Sequence, residues 1–386
     1  YNTISEALYR CWLNAETYNG WRIVLVSAGE YPVDDPGQSV NNSRYITIEP
    51  SEGLSKVDIT IRPPTRKLQR PHAALLKFRD LTFDFSLIAQ IYKEDGAHHW
   101  YDDCVWLQSE GWSAIYAGQT YPVRNAAGGL YVTNCEANEM LYGFSGCNLV
   151  RNCSCYRIAG DSYANSKCVV NCVADTLADA TGTGFHNDTH QYFGQYENVI
   201  VCNVVNMNLS SNGVQNFFLD HFSNPYPSSY KDMAFVNIAF ENVQESPTVP
   251  LAQFYGVQNH VLMMNVGMPN QRILLRPGHP NSPYSATDCM FLNCILNSIA
   301  NDSSSSLPTG VSVESCHFED AGDMRGNNAT SGPVTFTELG KPKFSWAGSG
   351  YAACVGSGKV VPGYSNLIWK NTAASPPSRG AVPWKP

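Results

Sequence analysis

Short runs of apolar and β-branched residues recur along this chain, and most of them end in Asn and Cys. Each run is too short for a helix and is followed by a polar or glycine-containing turn, so each predicts one β-strand. The closest runs are separated by about 20 residues, which is the size of one coil in a solenoid repeat. The runs occupy residues 131–135, 149–153, 169–172, 199–203, 235–237, 290–294 and 311–316.

The repeat predicts an all-β fold, a right-handed parallel β-helix. One coil cannot bury its own inner face, whereas stacked coils place like residues above like and so form internal columns. We expect the cysteines of the runs to be buried thiols in these columns, because cysteine behaves as a small hydrophobe. The asparagines beside them are expected to form a ladder of side-chain amides that bond to one another along the helix axis.

An N-terminal helix is predicted over residues 4–14, where apolar side chains recur at helical spacing, and a strand follows at 21–26. The helix would cap the first coil, since the open end of a solenoid exposes an aggregation-prone edge. Further strands are expected at 45–49, 57–62, 75–85 and 105–108. We predict a single domain over 1–386, with the cap and first coil in 1–30, the coils in 31–344 and a C-terminal tail or cap in 345–386.

Composition and charge narrow the range of partners. Hydrophobic residues make up 43% of the chain and charged residues 15%, which fits a β-rich protein with polar turns and argues against disorder. The formal net charge of -8 gives no basic field, so nucleic acid is not an expected partner, and an acidic polysaccharide would require a local basic patch. No stretch approaches the roughly 20 apolar residues of a membrane span, and the first residues lack a signal-peptide pattern. We expect a secreted or periplasmic protein whose signal peptide is not in this chain, and the sequence implies no particular oligomeric state.

The segment around His190 carries the most concentrated chemistry. If it is extended, alternation places His186, Asp188 and His190 on one face and Asn187 and Gln191 on the other. One face of a solenoid strand is core and the other is solvent, so we expect the three ionisable side chains to project into an exposed groove. The alternatives are a solvated strand face, a network of hydrogen bonds between rungs, or a metal site to which another segment adds a ligand.

Neighbouring coils supply further candidates. Stacking at the strand spacing of about 4.8 Å would bring Asp220 or His221 near the first cluster. The alternative for these two residues is a buried polar pair, and long side chains beside a groove are often surface residues. The candidate catalytic residues are His186, Asp188, His190, Asp220, His221 and Lys167, and the candidate substrate contacts are Gln191, Asn187, Tyr163, Tyr192, Tyr255 and Arg276.

Several elements resemble known β-helix proteins. The order of helix, apolar strand and Ala-Gly-x-Tyr, the last at 28–31, resembles the opening of pectate-lyase-like β-helix proteins. His-x-Asp-x-x-Gln at 186–191 is similar to a motif of carbohydrate-active β-helix proteins, and Phe-Leu-Asp-His at 218–221 looks like the Trp-Ile-Asp-His element of pectate lyases, followed by Arg-Pro at 276–277. The resemblance implies a polysaccharide bound along the helix axis. It leaves calcium as a candidate ion, while the residues themselves establish no cofactor.

The leading interpretation is a polysaccharide lyase that cleaves a uronic-acid-containing glycan by β-elimination. His190 or Lys167 would remove the proton at C5, and Asn187, Gln191 or Arg276 would help to neutralise the carboxylate. Tyrosines beside the groove would stack on sugar rings.

Three alternatives stay open. A glycoside hydrolase would use two carboxylates, for which Asp188 and Asp220 are the candidate pair. A non-catalytic glycan-binding or adhesive β-helix would use the same groove without turnover. An enzyme that isomerises a sugar within a polymer would share the base chemistry of the lyase.

Overall fold

The computed structural model describes residues 1–13, 21–32, 44–62, 75–85, 91–93, 98–108, 123–125, 129–140, 142–177, 188–209, 215–220, 229–242, 252–276, 285–301, 306–320, 326–332, 335–337 and 345–347. The chain forms two compact units: Tyr1–Ser166 with Ala180–Phe185, and Lys167–Asp179 with His186–Pro386. Within each unit the strands stack in parallel, rung upon rung, and the predicted right-handed parallel β-helix is confirmed. The single domain over 1–386 stays a prediction.

The described residues of the first unit form one helix and two parallel series of strands. Strands β1, β3, β5, β8, β11 and β13 pair in that order, and so do β2, β4, β6, β9, β12 and β14. The elements are α1 (Ile4–Leu13), β1 (Trp21–Leu25), β2 (Gly29–Tyr31), β3 (Ile46–Pro50), β4 (Ile59–Ile61), β5 (Leu75–Arg79), β6 (Thr82–Asp84), β7 (Ile91–Lys93), β8 (His98–Asp102), β9 (Val105–Leu107), β10 (Val123–Asn125), β11 (Gly129–Thr133), β12 (Glu136–Asn138), β13 (Leu149–Arg151) and β14 (Ser154–Ile158).

The second unit repeats this plan, and four of its strands are longer, with 10 to 20 residues each. One series runs through β15, β17, β19, β21, β23 and β25, and the other runs through β16, β18, β20, the end of β21, β24, β26 and β27. The elements are β15 (Cys168–Leu177), β16 (Asp188–Phe193), β17 (Gln195–Leu209), β18 (Gln215–Asp220), β19 (Ser229–Asn242), β20 (Ala252–Tyr255), β21 (Val257–Arg276), β22 (Ser285–Thr287), β23 (Cys289–Leu292), β24 (Ile295–Asn301), β25 (Val311–Glu314), β26 (His317–Phe318), β27 (Thr330–Ser331), β28 (Thr335–Thr337) and β29 (Ser345–Ala347).

The predicted asparagine ladder is present in both units. Asn152 donates a side-chain hydrogen bond of 3.1 Å to Asn134, 18 residues earlier, which is the length of that coil. Asn237 donates to Asn203 at 2.9 Å, and Asn203 donates to Asn171 at 3.0 Å. All five of these asparagines adopt a left-handed backbone conformation, with φ between 55° and 57°. Asn tolerates that conformation better than most residues, so it turns the chain at the corner of each coil while its amide links the coils.

The predicted cysteine columns are also present. The twelve cysteines that the structure describes form no disulfides, and most of them are buried. In the first unit the backbone N–H of Cys104 donates to Sγ of Cys135 at 3.2 Å, and the N–H of Cys135 donates to Sγ of Cys153 at 3.4 Å. The thiols of Cys135 and Cys153 therefore each fill a core position and accept a backbone hydrogen bond from the neighbouring rung. Among the six predicted core cysteines only Cys202 is partly exposed.

Helix α1 covers the side chains of the first strand, as the periodicity predicts. Ile4 and Leu8 are both 1% exposed, and the helix contacts β1. Thr3 Oγ1 accepts the backbone N–H of Glu6 at 3.0 Å, which satisfies one of the open donors at the helix start. The described part of the chain contains no helix with the length and hydrophobicity that crossing a bilayer requires.

The C-terminal region is described only in part. Strands β28 and β29 form an antiparallel pair. Residues 348–386 lie outside the described residues, so the predicted C-terminal tail or cap stays a prediction.

Candidate functional site

Strand β16 contains two of the six residues that the sequence predicts as catalytic, Asp188 and His190, and it is buried. Asp188 and His190 are each 0% exposed, and Gln191, on the opposite face of the strand, is 2% exposed. The prediction that Asp188 and His190 project into an exposed groove is therefore wrong. His186 and Asn187 lie outside the described residues.

His190 points into the core of the second unit. Its ring stacks on Phe217 with the ring centres 5.3 Å apart, and the edge of Phe240 approaches at 6.3 Å. Burial lowers the pKa of His190 to about 3, because the imidazolium would lose its hydration. The ring is thus neutral near pH 7. An inward neutral imidazole is poorly placed to take a proton from a sugar bound outside the coil, which argues against the predicted role of His190 as the base.

The inward direction of this face has a physical cause. Alternation groups Asp188, His190 and Tyr192 on one side but does not decide which side is the core. On the next rung Phe217 and Leu219 pair with His190 and Tyr192, and both are fully buried. Burying these large apolar side chains outweighs the desolvation of one neutral imidazole, so the polar residues go inward with them.

Two predicted aromatic contacts are also buried. Tyr163, in the first unit, is 0% exposed. Tyr192, in the second unit, is 0% exposed, and its carbonyl oxygen accepts the hydroxyl of Tyr230 at 2.9 Å. Neither ring presents a face to solvent, which contradicts their predicted stacking on sugar rings.

Lys167 is exposed at the start of β15. Its carbonyl oxygen accepts the backbone N–H of Ile200 at 2.8 Å, so it belongs to the β15–β17 series of strands. The structure does not place it on the β16–β18 series. Its predicted role as a base stays a prediction.

The structure does bring two predicted substrate contacts together, Tyr255, which is 9% exposed, and Arg276, which is partly exposed. They are register partners on β20 and β21, and Arg276 Nη1 donates to Tyr255 Oη at 2.8 Å. The same nitrogen donates to Gln253 Oε1 at 2.9 Å, and Tyr255 Oη donates to that oxygen at 2.8 Å. The guanidinium carbon lies 5.7 Å from the centre of the Tyr255 ring. These three residues, which we call the Arg276 cluster, form a closed triangle of hydrogen bonds.

Gln253 is the third member of the Arg276 cluster, and the sequence offers it on the later coils together with Tyr255 and Arg276, although with no assigned role. It lies two residues before Tyr255, and in an extended strand such a pair shares one face. That spacing is the signal in the sequence that identifies it. Gln253 is 6% exposed, so its amide oxygen is a fixed acceptor that orients the guanidinium.

Asp220 takes the rung position beside the Arg276 cluster. It pairs with Phe193 on β16, and the pairing of Leu219 with Phe254 places Asp220 next to Tyr255 in register. His221, the following residue, lies outside the described residues. The register therefore places the backbone of Asp220 beside Phe193 and not beside Asp188 or His190, so its predicted proximity to these two residues is not confirmed.

Asp188 and Asp220 do not form a close pair. Asp188 and Phe193 are the two ends of β16, about 16 Å apart at roughly 3.3 Å per residue. Asp220 pairs with Phe193, one rung away. Glycosidase carboxyl groups are about 5–9.5 Å apart, so these two positions are too distant for that chemistry.

The Arg276 cluster combines a cation and a hydroxyl group. A guanidinium carries five donors, and two of the bonds it makes here hold it in one orientation. Such a group can neutralise a bound carboxylate, and the hydroxyl of Tyr255 can exchange a proton. Within the described ranges no three His, Cys, Asp or Glu side chains are grouped so as to hold a metal ion, and calcium stays a prediction.

Comparison with known proteins gives matches in structure only. No protein-family model matches the sequence, and no curated protein matches it. The chain is similar to the A-module of the Azotobacter vinelandii mannuronan C-5 epimerase AlgE4, with 12% identity, a TM-score of 0.39, and coverage of 86% of this chain and 92% of that one. It is similar to a PL6 alginate lyase solved with a trisaccharide, at 10% identity and a TM-score of 0.41, covering 89% of each chain.

A third similar structure is the catalytic domain of a GH87 α-1,3-glucanase in complex with nigerose, at 12% identity and a TM-score of 0.39. This match covers 86% of the present chain and 64% of the glucanase domain. The three proteins are right-handed parallel β-helices that act on carbohydrates. At these identities and scores the likeness is one of fold, and it carries no argument about the reaction of this chain.

Proposed function

We propose that this protein is a carbohydrate-active enzyme, a polysaccharide lyase that cleaves a uronic-acid-containing glycan at the Arg276 cluster. The observation that carries the proposal is the guanidinium of Arg276, which is held against the hydroxyl of Tyr255 by a shared bond to Gln253. A fixed cation beside a proton-exchanging group is the minimum that β-elimination requires, because the sugar carboxylate must be neutralised before the C5 proton can leave.

The steps balance without any further reactant. Arg276 binds the carboxylate at C5 and stabilises the negative charge that develops when the C5 proton leaves. The Tyr255 oxygen, after its hydroxyl proton has passed to bulk water, takes that proton. The C4–O4 bond then breaks, a double bond forms between C4 and C5, and the hydroxyl of Tyr255 returns the proton to the departing oxygen. One proton therefore passes from carbon to oxygen within the site.

Tyr255 takes the role for which His190 is predicted from the sequence. His190 faces the core, whereas the Tyr255 hydroxyl lies 2.8 Å from Nη1 of Arg276, the guanidinium that would hold the carboxylate. A base at hydrogen-bond distance from the carboxylate-binding group is well placed to reach the neighbouring carbon. The glycoside hydrolase alternative is less well supported, because Asp188 and Asp220 are too far apart along and between their strands.

A panel of polyuronates and neutral polysaccharides tests the proposal, with heat-denatured protein as the blank. The expected result is ultraviolet absorbance of an unsaturated sugar, formed only from a polyuronate. New reducing ends formed without that absorbance would show that the protein is a hydrolase and not a lyase. Exchange of the C5 proton in deuterated water without chain cleavage would replace it by an isomerase. If no glycan reacts at any pH from 5 to 10, the proposal that the protein is an enzyme would be overturned, and a glycan-binding protein would be favoured.

A further inference from the structure

A second group of residues, in the first unit, lies on the outward face of strands β5, β8 and β11. Burial alternates along these strands, with Phe78 and Tyr101 fully buried and the residues between them partly exposed. The register aligns Lys77 with Trp100 and Trp100 with Tyr131 on successive rungs. Four rings share this side of the sheet, and we call them the aromatic face: Tyr45, His98, Trp100 and Tyr131.

The rings of the aromatic face are ordered relative to one another. His98 and Tyr131 lie parallel, with ring centres 6.1 Å apart and planes inclined by 9°. Tyr45 meets Trp100 edge to face, with centres 5.9 Å apart. Each of these side chains remains partly exposed, in contrast to the rings on the inner side of the same strands. The result is a set of amphipathic rings at an accessible surface, which is the usual lining of a site for a sugar.

Gly129 provides the space in which two of these rings lie. A Cβ atom at this position would lie 2.4 Å from His98 Nδ1 and 2.4 Å from Tyr131 Cε2. Real Cβ contacts are longer, so any side chain here would push both rings outward. The close, parallel arrangement of His98 and Tyr131 depends on the absence of a side chain beneath them.

A chain of polar contacts fixes Trp100. Its Nε1 donates to Thr133 Oγ1 at 2.8 Å, and that hydroxyl donates to Asp102 Oδ1 at 2.7 Å. Lys77 Nζ lies 3.9 Å from the centre of the Trp100 ring and 2.9 Å from Asp102 Oδ2. Burial alone would raise the pKa of Asp102, but hydrogen bonds from Lys77, Thr133 and Asn134 outweigh it and lower the pKa. Asp102 is therefore ionised near neutral pH and holds the indole through Thr133.

The same face is locally basic in an acidic protein. Its outward positions on β1, β3, β5, β8, β11 and β13 carry four cations and two carboxylates: Arg22, Lys77, Arg79 and Arg151 against Glu49 and Asp102. Glu49 is shared between Arg22 and Arg79, whose side chains are 71% and 59% exposed. The excess of positive charge contrasts with the net charge of -8 of the chain. A local field of this sign attracts an anionic ligand.

We propose that the aromatic face, together with Arg79 and Arg151, is a binding site for an acidic oligosaccharide. Sugar rings would stack on Trp100 and Tyr131, and their carboxylates would pair with the two arginines. From β3 to β11 the site covers three strand spacings, roughly 14 Å at about 4.8 Å each, which is enough for a short oligosaccharide. The ligand class is the same as that of the proposed function, and the residues are different.

Calorimetry with hexamers of galacturonate and mannuronate tests this site, with cellohexaose as the neutral ligand of equal length. The full chain carrying Arg276→Lys is used, so that cleavage at the Arg276 cluster does not enter the measurement. We expect binding of an acidic hexamer, a weakening of at least about tenfold in Trp100→Ala and Gly129→Ala, and a loss of affinity as salt is raised. Tyr156→Ala, which removes an exposed ring from β14 of the same unit, is the matched control and should bind normally.

Arg151→Glu provides a test that does not disturb the rings, since its side chain is exposed. The Arg151→Glu variant should have the melting temperature of the parent protein. It should bind the acidic hexamer at least about tenfold more weakly, because the contact with one sugar carboxylate becomes repulsive. Unchanged affinity in both Arg151→Glu and Gly129→Ala would overturn the proposal, and so would equal affinity for cellohexaose. Because binding is read without turnover, failure to cleave any glycan leaves this result unaffected.

Discussion

Arg276 Nη1 lies 2.8 Å from the hydroxyl oxygen of Tyr255, across one rung of the second unit. The two residues are 21 positions apart in the chain and become neighbours only because β20 pairs with the end of β21. Gln253 accepts a hydrogen bond from each of them and so holds both in place. This triangle places a cation next to a proton-exchanging group, and the lyase proposal depends on it.

Tyr255→Phe removes only the hydroxyl group of the proposed base. We expect kcat on the cleaved glycan to fall by about 10²–10⁴-fold, with KM changed little, because Arg276 still binds the carboxylate. Initial rates of ultraviolet absorbance give both constants. Tyr156→Phe, which removes a hydroxyl from an exposed ring in the first unit, is the control. A Tyr255→Phe enzyme with the kcat of the wild type would show that another group moves the proton.

His190 gives the folded protein a specific sensitivity to acid. Its pKa is about 3 when folded and near 6.5 when unfolded, so the unfolded state binds an additional proton between these values. Stability should therefore fall as the pH drops below 6.5, by about 1.4 kcal/mol per pH unit from this residue. Urea unfolding at pH 7 and pH 5 measures the effect.

The matched variant for this measurement is His190→Phe, which keeps an aromatic ring beside Phe217 and cannot titrate. The difference in unfolding free energy between pH 7 and pH 5 should be smaller in this variant than in the wild type. An identical pH dependence would mean that His190 is accessible to protons in the folded protein. That result would also restore it as a candidate base.

Asn203 bonds to asparagines on both neighbouring coils and adopts a φ of 56. Asn203→Ala should lower the free energy of unfolding by roughly 1–4 kcal/mol, since two side-chain hydrogen bonds are lost and alanine is disfavoured in that backbone conformation. Asn203→Gly loses the same bonds without the backbone cost, so it should be the milder variant. An equal loss of unfolding free energy in the two variants would assign the effect to the side-chain hydrogen bonds of the ladder alone. An unchanged unfolding free energy in both variants would exclude the ladder as a source of stability.

Thiol titration tests the cysteine columns. Burial raises the pKa of Cys147 above its usual range and that of Cys155 to about 12, which suppresses the reactive thiolate. In the native protein, Ellman's reagent should react slowly with the buried thiols. In denaturant without reductant at least the twelve described cysteines should react promptly. A smaller number of reactive thiols would indicate disulfides and contradict the assignment of these cysteines as free core thiols.

The repeat was predictable from the sequence, whereas the site was predictable only in part. Asn134 and Cys135 belong to a local pattern that recurs at the coil length, and a pattern of that kind needs no knowledge of neighbouring strands. The inward direction of His190 depends on Phe217 and Phe240, which belong to other rungs. Alternation defines the two faces of β16, but the packing of distant residues decides which one is core.

The Arg276 cluster and the aromatic face show the same limit. Arg276 and Tyr255 were identifiable as residue types suited to a sugar, but their contact depends on the register between β20 and β21. Trp100 is not identifiable from the sequence in this way, because segment 98–102 lacks the aliphatic and β-branched residues of the other strands, although its outward residues alternate regularly with buried ones. Lengths of the turns between strands set these registers, and they vary from coil to coil.

The central claim is that the fixed guanidinium of Arg276 neutralises the carboxylate of a glycan during its cleavage. The most direct measurement compares kcat/KM of Arg276→Lys with that of Arg272→Lys, an exposed arginine on the same strand, using the polyuronate that the wild type cleaves best. The account predicts a loss of roughly 10²–10³-fold in Arg276→Lys, because lysine lacks the planar guanidinium fork that pairs with a carboxylate through two parallel bonds, and no change in Arg272→Lys. Equal activity in the two variants would contradict it.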